Sequence, residues 1–346
     1  MHPASLRRGA LCAALALTVP SLWAGGIPAH YHVTDLGPMS IASSIAPGGH
    51  VAGINAKDFI LRPATWNVHG KRHNLANPFQ EGIAFGLNDA GVIVGTVGDL
   101  VTFRHAAVWR GPDDMLDLGQ LLGTRQSSAT AINALDDCTV DAQFGRRHQS
   151  FLIPGCNGIQ NRIDIGSLGG SVTHAVAIND GMEVTGTSDV PGQGTRAFLY
   201  TQGAMRDLGV IAGDIASEGA GLNDLGHVVG TSTKNSNEAR GFFYDGQAMS
   251  PIGTFGGPVS LAFGVNHDDL VVGMADDAQR MSHGFVIDEG RPGSKLVDLN
   301  TRLDASGAGL TITQALSIND AGQILANTTL PGNDVFVRFV VLTPAD

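Results

Sequence analysis

The chain has 346 residues, a formal net charge of −11 at neutral pH and 47 glycines, with only 15% charged residues. Acidity without a basic stretch argues against nucleic acid and anionic lipid as partners, because both are held by clustered Lys and Arg. Length alone would suggest about two domains, but an internal repeat overrides that expectation.

At the start, Arg7 and Arg8 precede an apolar run over residues 9–19, followed by Pro20 and small residues up to Ala24 or Gly26. This is the pattern of a secretory signal peptide. Residues 1–24 are therefore read as the signal and 25–346 as one domain, exported to the periplasm or the medium. Cys12 lies inside the apolar run and is read as part of it. No later stretch reaches the ~18 to 20 apolar residues of a membrane span.

Beyond the signal one motif returns seven times, most clearly as Leu222-Asn223-Asp224-Leu225-Gly226-His227-Val228-Val229-Gly230. The equivalents of Asn223 are Ala46, Asn88, Asn133, Asn179, Asn266 and Asn319, spaced by 42, 45, 46, 44, 43 and 53 residues in chain order. Units of ~40 to 45 residues assemble into one stacked or closed body. Each unit reads as four short strands. In the fourth copy these are 176–179, 183–187, 196–200 and 205–208, with turns at Asp180-Gly181 and Gln202-Gly203. Asn and Asp bond their own backbone, and the following glycine takes positive φ without steric cost. A calcium loop would need several carboxylates at alternating positions, and each copy offers one or two.

The third strand of each unit opens with Arg62, His105, Gln149, Arg196, Arg240 or His283, and closes with Trp66, Trp109, Ile153, Tyr200, Tyr244 or Ile287. Folding the last hairpin puts Phe198 opposite Asp207 and leaves Arg196 diagonal to that Asp. His105 with Asp117 and His283 with Asp298 stand likewise, which predicts a structural pair repeated along the chain. Arg240 departs, because Pro251 stands where its Asp should be. The closing aromatics are read as packing between neighbouring units.

Asp164-Ile165-Gly166-Ser167-Leu168-Gly169-Gly170, Ile178-Asn179-Asp180 and Arg196-Ala197-Phe198-Leu199-Tyr200 together make the chain resemble the HAF-repeat family of bacterial extracellular proteins. The resemblance covers nearly all of residues 25–346. It implies export and a repeated β architecture but no activity, so no catalytic residue is carried over.

Evenly spaced strands with radial repetition predict an all-β fold, a seven-bladed β-propeller of ~45-residue four-stranded repeats. Residues 31–37 resemble a fourth strand and 335–342 a third strand without a successor, so the N-terminal strand is expected to close the last blade. An open solenoid is the alternative. It would leave both end strands unpaired.

No nucleophile elbow, zinc-protease helix, Walker loop or dinucleotide fingerprint occurs. His30 and His32 do not amount to a metal site, and no cofactor is implied. Cys138 and Cys156 are the only cysteines left after signal removal. They are expected to form a disulfide across a hairpin centred on residue 147, with two buried thiols as the alternative.

In a propeller the loops entering the first strand, and those between strands two and three, share one face, and here they vary most. Five residues before the repeat Asn stand Ile83, Ser128, His174, Glu218, Leu261 and Gln314, predicted to ring a channel mouth. His174, Glu218 and Gln314, with Arg125 and Asp214 just upstream, are the candidate ligand contacts. The function this predicts is a binding or scaffolding module for a glycan, a peptide or an envelope protein. The alternative is a hydrolase or lyase acting on extracellular polysaccharide, which would need an acid and a base in hydrogen-bond reach at the mouth.

Overall fold

Each copy folds where its sequence alternates. In the fourth, Thr173–Ile178, Val184–Val190, Gly194–Thr201 and Ala204–Asp207 pair antiparallel in chain order, with Phe198 opposite Asp207. The computed structural model describes residues 26–37, 40–57, 60–79, 81–99, 102–330 and 333–345. The expected signal peptide, residues 1–24, lies outside them. Among the described residues one short helix, Leu118–Leu122, and three 3-10 turns accompany the strands, so the fold is an all-β propeller. No helix among them is long and apolar enough to cross a membrane.

The expected seven separate blades are not what forms. The strands make five four-stranded blades, and the fifth and sixth copies run together into a single eight-stranded sheet. The join is a parallel bridge between Ala239 and Val259. It arises because the first strand of the sixth copy, Gly256–Val265, is ten residues long and reaches its neighbour. Gly241 assists, since its missing side chain leaves room for the Ala262 backbone.

The strand His30–Asp35 pairs antiparallel with Asn333–Ala345, Tyr31 opposite Pro344 and Asp35 opposite Val340. The partner segment is thus 340–345, further along the chain than the 335–342 read from the sequence. Tyr31 is fully buried in this seam, and that burial pushes its phenol pKa well above the ordinary value.

The repeat asparagines do more than make turns. Asn88 Nδ2 donates to the carbonyl of Asn133 (3.0 Å), Asn133 to Asn179 (3.1 Å), Asn179 to Asn223 (3.0 Å) and Asn223 to Asn266 (2.9 Å). Asn266 continues to Asn319 (3.3 Å), and Asn319 returns to Ala46 (2.9 Å). Each Oδ1 meanwhile accepts the N–H four residues on, as Asn223 does from His227 (3.0 Å). All six are buried, so one amide satisfies its own turn and the next copy's backbone at once. Only Ala46 has no amide to pass on.

The closing column, Trp66, Trp109, Ile153, Tyr200, Tyr244 and Ile287, is buried throughout. Trp66 packs with Leu36, Leu325 and Phe339 from the adjoining sheet, which is packing between units as the sequence suggested.

Cys138 and Cys156 form a disulfide with Cα atoms 5.6 Å apart. Cys138 faces Ile153 in the ladder, and the turn Pro154–Cys156 brings the second sulfur back. A bridge closing a loop of this size contributes about 3 kcal/mol by restricting the unfolded chain. Reduction should lower the stability measured by urea unfolding by that order. A thiol reagent applied to the denatured, unreduced protein lacking residues 1–24 should label no cysteine, and two labelled cysteines would refute the bridge.

Candidate functional site

All seven innermost strands carry a β-bulge centred three residues before the repeat Asn position. A bulge leaves one residue unpaired and re-aims its side chain. The bulged residues are Ser43, Phe85, Thr130, Val176, Ala220, Phe263 and Leu316, and they line an axial cavity of about 480 Å³ at the Asn–Asp end. Its lip carries Asp89, Asp180, Asp224 and Asp320, which accept backbone N–H groups from Gly48, Ala134, Asp180 and His267 of the preceding copies (2.7–2.9 Å).

This cavity lies at the end opposite the variable loops, where the sequence pattern placed no candidate contact. The available signal was a large apolar residue, Phe85, Phe263 or Leu316, recurring in one column among small neighbours. The bulge also explains the glycine that closes the second-strand motif. A methyl group at Gly186 or Gly230 would collide with the carbonyl oxygen of His174 or Glu218, which the bulge presses against it.

At the opposite end no hydrogen bond or ion pair joins any two of the five candidate contacts. His174 is exposed, and its Nδ1 lies 3.1 Å from Asp141 Oδ2 of the preceding copy. That hydrogen bond raises the His174 pKa against the opposing effect of burial, with the charges of Asp141 and Asp189 adding to it and that of Arg104 subtracting. The mouth therefore gains positive charge as pH falls through this raised value. Glu218 is exposed and its side chain makes no hydrogen bond among the described residues, so the acid and base in hydrogen-bond reach at the mouth are Asp141 and His174.

Gln314 is taken up by Met274 Sδ (3.3 Å) and Asn327 (2.8 Å). Asp214 is fully enclosed. It binds Ser232 Oγ and Arg240 at 2.7 Å each, which makes it the partner that Arg240 lacks at Pro251. Arg125 is exposed, and its carbonyl accepts the Arg104 N–H at 2.8 Å.

The repeated third-strand pairs form at His105–Asp117 (2.9 Å), Gln149–Asp164 (3.0 Å) and His283–Asp298 (2.8 Å). Arg196 departs. Its guanidinium turns to the carbonyls of Gln193, Thr195 and Ile215, because its length carries the charge past Asp207 into the loop, where carbonyls are nearer.

Asp141 also accepts from Ser150 Oγ (2.5 Å). The hydroxyl thus sits on the carboxylate and not on the imidazole, and Ser150 is fully buried. This is the wrong order for a Ser–His–Asp relay, in which the imidazole must touch the hydroxyl.

No family model and no curated protein matches the sequence. Solved structures do resemble the fold. A prolyl endopeptidase aligns with TM-score 0.52 and 9% identity over 86% of this chain and 46% of that one. A puromycin-hydrolyzing peptidase of Mycobacterium tuberculosis aligns with TM-score 0.50 and 12% identity over 86% and 50%. TolB from Acinetobacter baumannii aligns with TM-score 0.44 and 12% identity over 92% and 80%. The chain spans about half the length of the two peptidases. What the two peptidases share with this chain at such identities is the fold alone.

Proposed function

We propose that the protein is an exported binding or scaffolding module that holds a glycan, peptide or envelope partner at the mouth carrying His174. The observation that supports this reading is the asymmetry between the two ends. The Asn–Asp end is committed to its own hydrogen-bond belt, while the other presents exposed polar side chains that differ from copy to copy. Loops held on such a scaffold are where binding residues concentrate. The disulfide fits an oxidising compartment, and the resemblance to HAF-repeat proteins implies export as well. The hydrolase or lyase alternative is weaker, because the hydroxyl nearest the His174–Asp141 pair is buried on the wrong partner.

The test is capture from an envelope extract by the intact protein and by His174→Ala with Glu218→Ala. The double variant should lose the partner while its unfolding midpoint stays nearly unchanged, as expected for exposed residues. Unaltered capture would sink the assignment, as would a partner found at the Asn–Asp end, and turnover of a polysaccharide would favour the enzymatic reading.

A further inference from the structure

We infer that the mouth built by the second to fourth copies binds a carboxylate-bearing oligosaccharide, with Arg104, His148 and His174 receiving the carboxylates and Phe144 receiving a sugar face. The inference rests on the binding reading above and names its ligand chemistry.

Backbone contacts bring these groups together. Arg104 opens the third strand of the second copy, and its N–H donates to the Arg125 carbonyl at 2.8 Å. The next carbonyl, that of Gln126, accepts from Gln143 at 2.8 Å, one residue before Phe144. His148 repeats the arrangement one copy on, donating to the Ser171 carbonyl at 3.0 Å. Its ring centre lies 5.4 Å from that of His174. Arg104 is close enough to His174 for its charge to oppose protonation there.

In a chain with net charge −11, this neighbourhood gathers cations. Arg104, Arg125, Arg146, Arg147 and His148 have no acidic partner among the described residues. Arg104 Nε, moreover, is shut off from solvent and has no hydrogen-bond partner among them. A ligand cannot reach that sealed nitrogen, but Arg104 is only partly buried, and the terminal nitrogens of a guanidinium suit a planar bidentate acceptor, which a carboxylate is. Of the acids nearby, Asp141 already holds Ser150 and His174, and the charge of Asp189 adds to the raised His174 pKa.

Two features favour a sugar chain. The cations are contributed by successive copies along an open rim, which suits a ligand with repeating charges lying across it. Phe144 is 38% exposed at the hairpin tip, opposite Arg147 in the ladder and on the blade face away from His148, so a chain lying across the tip would meet both. Phe144 offers an apolar face to a pyranose ring, as an aromatic with one buried side can.

The experiment is calorimetric titration of the intact protein with oligogalacturonate, the same oligomer methyl-esterified, and polyglutamate of equal charge. Oligogalacturonate should bind, weakening as salt rises. The ester should bind at least tenfold more weakly, and so should Arg104→Gln and, separately, His148→Ala towards the free acid. Equal binding of acid and ester, or unchanged binding by both variants, overturns the carboxylate site. Equal binding of polyglutamate overturns the sugar assignment. A protein that binds none of the three yet captures an envelope partner through His174 and Glu218 refutes this inference and leaves the binding reading standing.

Discussion

Removing residues 25–37 is expected to abolish cooperative unfolding and to leave an aggregating chain. These residues supply the last strand of a sheet whose other members lie at the far end of the sequence, six paired positions in all. They carry Tyr31, Val33 and Leu36, all buried, and burying side chains of this kind contributes about 1.5–3 kcal/mol apiece. The sum is comparable with the 5–15 kcal/mol that typically separates folded from unfolded domains. The seam also reaches further. Trp66 Nε1 donates to the Leu36 carbonyl at 3.0 Å, and Val33 N–H donates to Ser306 Oγ at 2.7 Å. The truncated chain would expose both a sheet edge and the indole's pocket. Urea unfolding and light scattering of chains beginning at residue 25 and at residue 38 decide the matter, and superimposable curves would refute the role given to this strand.

Asn223→Ala should cost about 2–4 kcal/mol, since each buried polar group left unpaired costs ~1–3 kcal/mol. Asn223 Oδ1 accepts from Leu225 and His227 (3.1 and 3.0 Å), and its Nδ2 donates to the Asn266 carbonyl and to Asp269 Oδ1 (both 2.9 Å). Alanine at this position satisfies none of them. The adjacent Asp224 makes a useful control, because it is exposed and accepts one N–H, from Asp180 at 2.9 Å. Asp224→Ala should cost well under half as much. Equal losses in the two variants, measured by urea titration, would show that the belt adds nothing beyond the turn.

The two halves of that prediction were not equally legible. The turn could be read from Asn223, Asp224 and Gly226, because the interaction is local and its residues are adjacent. The donation to Asn266 could not, since the identical turn forms whether or not another copy lies beside it. The third-strand column divides in the same way. His105 with Asp117 and His283 with Asp298 followed from hairpin register, whereas Arg240 found Asp214 in a loop that no register rule connects to it. At the candidate site, the register placed His174 correctly on an innermost strand. Its partner Asp141 belongs to the preceding copy and lay outside any hairpin argument.

By itself, then, the sequence determined the short strands, their turns, the propeller architecture and the bridge between Cys138 and Cys156, all of which depend on alternation and spacing within a few tens of residues. The tertiary structure alone decided that the fifth and sixth copies share one sheet, because that turns on how far one strand extends towards its neighbour. It also decided that a bulge turns Phe85, Val176, Phe263 and Leu316 into the axial cavity. A bulge shifts the two-residue alternation by one position, and only pairing with the second strand reveals where the shift falls.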